Sequence, residues 1–181
     1  MMNKNAVFVE RRKEYRLPFG EKIIFTDGTM TSTAYAANIS RGGVFVTSLD
    51  PFPIDTMSML SFFLPSQDNS FCVKAKVAHL VFDRQRCEVE CGMGFMFQEL
   101  NESQKSILNL HILNEQATYL ELKKLLAAPK PDSAEIARCI KKMPMLQKFD
   151  LLGLRYKVNR ICTIFEPEPV LPTQEDEKIS A

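Results

Sequence analysis

Two short stretches hold side chains suited to gripping a planar, anionic ligand. Residues 11–16 read RRKEYR, four cations in six positions. Arg12 and Arg16 stand four apart, so they share a face on a strand and are neighbours on a helix; Arg11 lies beside them. An arginine fork makes two hydrogen bonds to a phosphate or to the O6/N7 edge of guanine, and its flat face stacks on purines. Residues 38–43 read NISRGG. Asn38 offers an amide donor and a carbonyl acceptor, and Ser40 a compact hydroxyl. Gly43 can take a positive φ and lets the backbone approach a ligand closely. Arg41 and Gly42 of the same turn are further candidates. Either stretch alone also reads as an ordinary charge run or polar turn. Their occurrence together, in this order, ahead of a β-rich pattern, points to one site for a ligand combining phosphate and guanine.

The elements that must position them follow from the periodicity. Residues 21–100 form short β-rich runs separated by turns: EKIIF, then the Asp27-Gly28 hairpin signal, STAYAANIS, VFVTS, MSMLSFFL, FCVKAKVAHLVF and CEVECGMGFMF. About six strands with no helix between them predict a small antiparallel barrel or sandwich. Phe62-Phe63 and the GFMF run read as its core. After Leu100 the period becomes helical. Asn101 and Gln104 form a capping-box pattern, and a helix is expected to run toward Ala127. It shows two apolar rows, one of Leu110, Leu113, Ala117 and Leu120, the other of Leu108, Ile112, Tyr119, Leu122 and Leu126. One stripe would suffice to pack on a barrel, so the second implies another contact. Asp132 and Glu135 suggest a second capping box and a helix ending near Met143. Pro144 is a candidate start for a third helix, with Leu151, Leu154, Val158, Ile161, Cys162 and Phe165 at helical spacing. The tail from Glu166 is rich in proline and acid and reads as flexible.

At 181 residues the chain suits one domain plus an extension. A net charge of +1 gives no global pull toward nucleic acid, so any anion site must be local. No apolar run approaches the roughly 18–20 residues of a membrane span, and no signal-peptide pattern opens the chain. The five cysteines are odd in number and scattered, which points to a reducing compartment, the cytoplasm. Cys87 and Cys91 would share a strand face as small core residues, and neither His79 nor His111 has ligand-like spacing to them. No metal or cofactor is expected. No nucleophile-elbow pattern supports a triad through Ser40 and His79, so the protein is not read as an enzyme.

At these residues the chain resembles the PilZ domain family. The resemblance rests on the Arg-x-x-x-Arg motif at Arg12 and Arg16, on the Asn/Asp-x-Ser-x-x-Gly motif at Asn38, Ser40 and Gly43, and on the closing GMGFMFQELNESQKSIL. It covers residues 8–115 and implies a mainly β fold, a six-stranded antiparallel β-barrel followed by C-terminal helices. It also implies binding of the bacterial second messenger cyclic di-GMP, with Arg12 and Arg16 on its phosphates and a guanine and with Asn38, Ser40 and Gly43 shaping the barrel side. Asn38 stands where many members have Asp. In the family an arginine at the position of Arg11 accompanies an intercalated pair of ligands. Residues 116–165 match no family; they are expected to form a helical module for dimerisation or for docking a protein partner, followed by a flexible acidic tail at 166–181. The alternative is a PilZ-like adaptor that works through protein contacts without nucleotide. A β-barrel RNA binder is disfavoured by the near-neutral charge.

Overall fold

The computed structural model describes residues 15–65, 67–82 and 91–164. Arg11, Arg12, Cys87, Phe165 and the 166–181 tail, all named above, lie outside the described residues. Seven strands are present among them: β1 (Leu17–Pro18), β2 (Lys22–Thr26), β3 (Thr31–Ser40), β4 (Gly43–Thr47), β5 (Met57–Phe63), β6 (Ser70–Val81) and β7 (Gly92–Phe97). Every pairing is antiparallel, and β2 through β7 close into a six-stranded barrel because β3 pairs with β2 on one edge and β4 on the other. The two-residue β1 is an extra strand: after a break at residues 19–21, it extends the β2 edge along β3, pairing Leu17 with Ile39 and Pro18 with Asn38. The β2–β3 turn uses Gly28 at φ 94°, and the Asp27 carboxylate accepts the Thr29 and Met30 N–H groups at 2.8 Å each.

Alternation along the strands fills the barrel. Ile23 and Phe25 of β2, Leu60 and Phe62 of β5, Val73, Ala75 and Val77 of β6 and Phe95 of β7 all point inward. Phe25 meets Phe52 edge-on at 5.2 Å, and Phe62 lies 5.3 Å from Phe71. The expectation that all of Phe62-Phe63 and GFMF is core needs correction, since Phe63 and Met96 face outward and are about half exposed. Successive residues on a strand point to opposite faces, so an adjacent pair cannot both enter the barrel.

Three helices follow, α1 (Glu102–Ala127), α2 (Ser133–Lys141) and α3 (Leu151–Cys162). The capping box at Asn101 and Gln104 is formed in both directions, and the Gln104 amide also donates to the Cys72 carbonyl of β6 at 2.7 Å. Asp132 caps α2 through the Ala134 and Glu135 N–H groups, while the Glu135 carboxylate lies 3.6 Å from Arg138. Pro144 opens only a short 3₁₀ turn; α3 begins where Asp150 accepts the Gly153 N–H at 2.7 Å. The row of Leu108, Ile112, Tyr119, Leu122 and Leu126 is buried, whereas Leu110 and Leu113 of the other row are exposed. Barrel and helices share one apolar core, and α1 crosses positions 115 and 116 without interruption.

Where α1 lies against the barrel, it buries polar side chains. His111 meets Phe19 edge-on at 5.7 Å, and burial holds its pKa down to about 4. Burial pushes Glu115 the other way, up to about 7. The folded state therefore binds fewer protons than the unfolded chain at His111 between pH 4 and 6.5, so this residue removes stability as pH falls through that window. It binds more at Glu115 between pH 4.5 and 7, so that residue removes stability as pH rises. Each swing amounts to about 3 kcal/mol, and the two offset each other. Glu115→Gln should stabilise the protein by about 2–3 kcal/mol near pH 8, change little near pH 4, and unmask a His111 loss on acidification. Urea unfolding across pH tests this; curves parallel to the wild type at every pH contradict it.

Candidate functional site

A concave pocket of about 240 Å³ opens on the barrel surface, lined by Arg16, Asn38, Ser40, Gly42 and Gly43 together with residues of β6 and β7. Strand register explains the convergence. Continuing the β1–β3 pairing by one residue sets Arg16 opposite Ser40, at the end of β3 where the Arg41-Gly42 turn leads into β4. A register shift between Ala36 and Asn38 places a bulge at Ala37, next to the Asn38 side chain. Bulges bend a strand and re-aim its side chains.

The individual roles differ. Ser40 is buried; its hydroxyl accepts from the Gly42 N–H at 3.3 Å and donates to the Gly43 carbonyl at 3.4 Å. Both bonds lie within its own turn, so Ser40 fixes the shape of the pocket edge. The Asn38 amide makes no hydrogen bond among the described residues, and Asn38 lines the pocket. Gly43 does not use the positive φ open to a glycine. A Cβ there would collide with the Phe95 carbonyl oxygen of β7, and close strand approach is what requires glycine. Arg41 points elsewhere, into a shallow depression beside Leu100, Lys105 and Asn109. The structure thus gathers Arg16, Asn38, Ser40, Gly42 and Gly43, and leaves Arg41 outside.

His79 was missed in the sequence and also lines this pocket. A second register shift, between Val77 and His79, makes Ala78 a bulge on β6. The imidazole stacks on Phe45 at 6.0 Å and lies where a side chain at position 94 would have to go. Gly94 within the GMGF run is the one sequence signal for it, since a glycine inside a strand marks a close approach by a neighbour.

The PilZ domain model matches residues 10–114, more than half of the chain, and the chain belongs to the PilZ domain family. Among solved structures it is similar to the Bacillus subtilis inhibitor of motility MotI/DgrA, at 19% identity over 60% of this chain and 52% of that one, with a TM-score of 0.51. It is also similar to MrkH of K. pneumonia in its c-di-GMP complex, at 14% identity over 64% and 56%, with a TM-score of 0.50. At these identities the likeness is one of fold, and the chain matches a little over half the length of each. No curated protein sequence matches it.

Gly43→Ala and Gly94→Ala should differ in cost. The first drives a methyl into backbone, which cannot yield; the second meets an imidazole that can rotate away. Gly94→Ala should cost about 1–3 kcal/mol by chemical denaturation and Gly43→Ala more. An equal cost for the two would refute this account of the pocket wall.

Proposed function

We propose that this PilZ domain is a cyclic di-GMP receptor that holds the messenger between the arginine arm, Arg11, Arg12 and Arg16, and the polar turn at Asn38, Ser40 and Gly43. The observation that carries the reading is the pocket where Arg16, Asn38 and the Ser40–Gly43 turn converge, in a chain whose family model spans both motifs. MrkH, which shares the fold, is a c-di-GMP complex. A volume of about 240 Å³ is small beside the roughly 300–1,000 Å³ of sites enclosing a drug-sized ligand. The barrel therefore offers one wall, and the arm supplies the other. His79 adds an aromatic face from the β6 side. No helix among the described residues is long and apolar enough to cross a membrane, and we place the receptor in the cytoplasm. Its output passes to a protein partner or a second copy through the helices, where Leu110, Leu113, Leu152 and Tyr156 stand exposed.

Calorimetry with cyclic di-GMP tests the site. Each bidentate arginine contact is worth about 1–3 kcal/mol, so Arg12→Ala or Arg16→Ala should weaken binding about 5- to 150-fold. Wild-type protein that binds no ligand at high micromolar concentration favours the adaptor reading instead. Stoichiometry is a separate question. With Arg11 stacking on the guanines of an intercalated pair, two ligands per protomer are expected, shifting toward one in Arg11→Leu. A wild-type endpoint of 1:1 rules out the pair.

A further inference from the structure

A second concavity lies between residues 18–21, α1 and the chain that leaves α2. It consists of an inner slot of about 70 Å³ and a wider groove of about 540 Å³ that share Glu21, Pro65, His111, Glu115 and Lys142. Three polar side chains of α1 line the slot, His111, Glu115 and Tyr119, spaced four apart and so on one stripe of the helix. His111 is 3% exposed and Tyr119 2%. None of the three side chains makes a hydrogen bond or ion pair among the described residues. Buried polar groups are almost always paired, and the polar atoms of these three open into the slot, where a ligand can complement them in place of water.

The chemistry of the three defines that complement. Glu115, when ionised, only accepts hydrogen bonds, and the Tyr119 hydroxyl and a neutral imidazole can each accept one. Burial keeps His111 neutral, with a pKa near 4, and pushes Tyr119 up, so neither carries charge at neutral pH. Desolvation alone raises Glu115 to about 7, the sign of a carboxylate lacking a cation. Phe19, Pro65, Met143 and Met145 give the slot apolar lining, beside Glu21 and Lys142. Glu21 and Lys142 line both slot and groove, while Glu121 and Lys141 line the groove alone. Across slot and groove three carboxylates stand against two lysines, a balance that favours a cation over an anion. A donor-rich cation on a methylene stem would meet acceptors in the slot and apolar surface along its length. From position 111 to 119 is about 12 Å along the helix, which suits an elongated group with several donors.

We propose that this cleft is a second binding site, taking an alkylguanidinium or alkylammonium group that pairs with Glu115 and lays its stem against Phe19 and Met145. The group can belong to a small amine or to an arginine or lysine side chain of another protein, and two probes separate these sources. Full-length protein near pH 8, where Glu115 is ionised, is titrated with butylguanidine and with a blocked Gly-Arg-Gly peptide, using butylurea as the uncharged isostere. At least one cationic probe should bind saturably at 1:1, about tenfold or more weaker to Glu115→Gln. Amide shifts in the protein's NMR spectrum should centre on Gly20 and Tyr119. Tighter binding of butylguanidine assigns a small-molecule ligand, and tighter binding of the peptide a protein side chain. Saturation by neither probe, equal binding of butylurea, or unchanged binding to Glu115→Gln overturns the proposal. None of these outcomes depends on cyclic di-GMP, so they stand apart from the receptor reading.

Discussion

Closure of the sheet on itself is the constraint from which the rest of the structure follows. Six strands make a ring only if every one of them pairs along both edges, and β3, ten residues long, completes it by pairing with both β2 and β4. A ring leaves no unpaired edge among its members, but a ring this small demands strong local bending. The bending is concentrated at two bulges, Ala37 on β3 and Ala78 on β6. Asn38 and His79, the residues next to those bulges, are both turned toward the same surface pocket. The candidate site is thus a by-product of how the barrel closes, with glycines at 43 and 94 where the Phe95 carbonyl and the His79 ring leave no room for a side chain.

The helices extend the same core. Phe19 packs edge-on against both Phe62 inside the barrel and His111 on α1, so one ring joins the two layers. The capped start of α1 is pinned to β6, and its later turns are covered by α2 and α3, with the Cys162 thiol donating to the Tyr119 carbonyl at 3.6 Å. Beyond position 115 the helix is therefore a continuation of the barrel's packing. The polar stripe of His111 and Glu115 sits at this junction, where the two groups titrate with opposite effects on stability.

Much of this was legible in the sequence. Strand runs and the Asp27-Gly28 turn follow from local alternation and turn chemistry, and the Asn101/Gln104 box marked the helix start. What escaped depends on contacts distant in the chain. His79 looked uninformative because its placement requires a bulge and a glycine fifteen residues later. At Gly43 the close approach is by the Phe95 carbonyl of β7, which cannot be read from positions 38–43. The extent of α1 past position 115 follows from its buried row, which continues to Leu126. The missed outward turn of Phe63 and Met96 is a failure to apply period-two alternation to aromatic-rich runs.

Gln104 serves two elements at once. Its carbonyl accepts the Asn101 N–H at 2.9 Å to complete the helix cap, and its amide nitrogen donates to the Cys72 carbonyl. Glutamate closes a capping box equally well, and by the helix rule alone the two residues are interchangeable. A carboxylate, however, has no proton to offer the strand and would set its charge against a carbonyl oxygen. Of the two residues a helix start permits at position 104, only glutamine can also serve a strand more than thirty residues earlier in the chain.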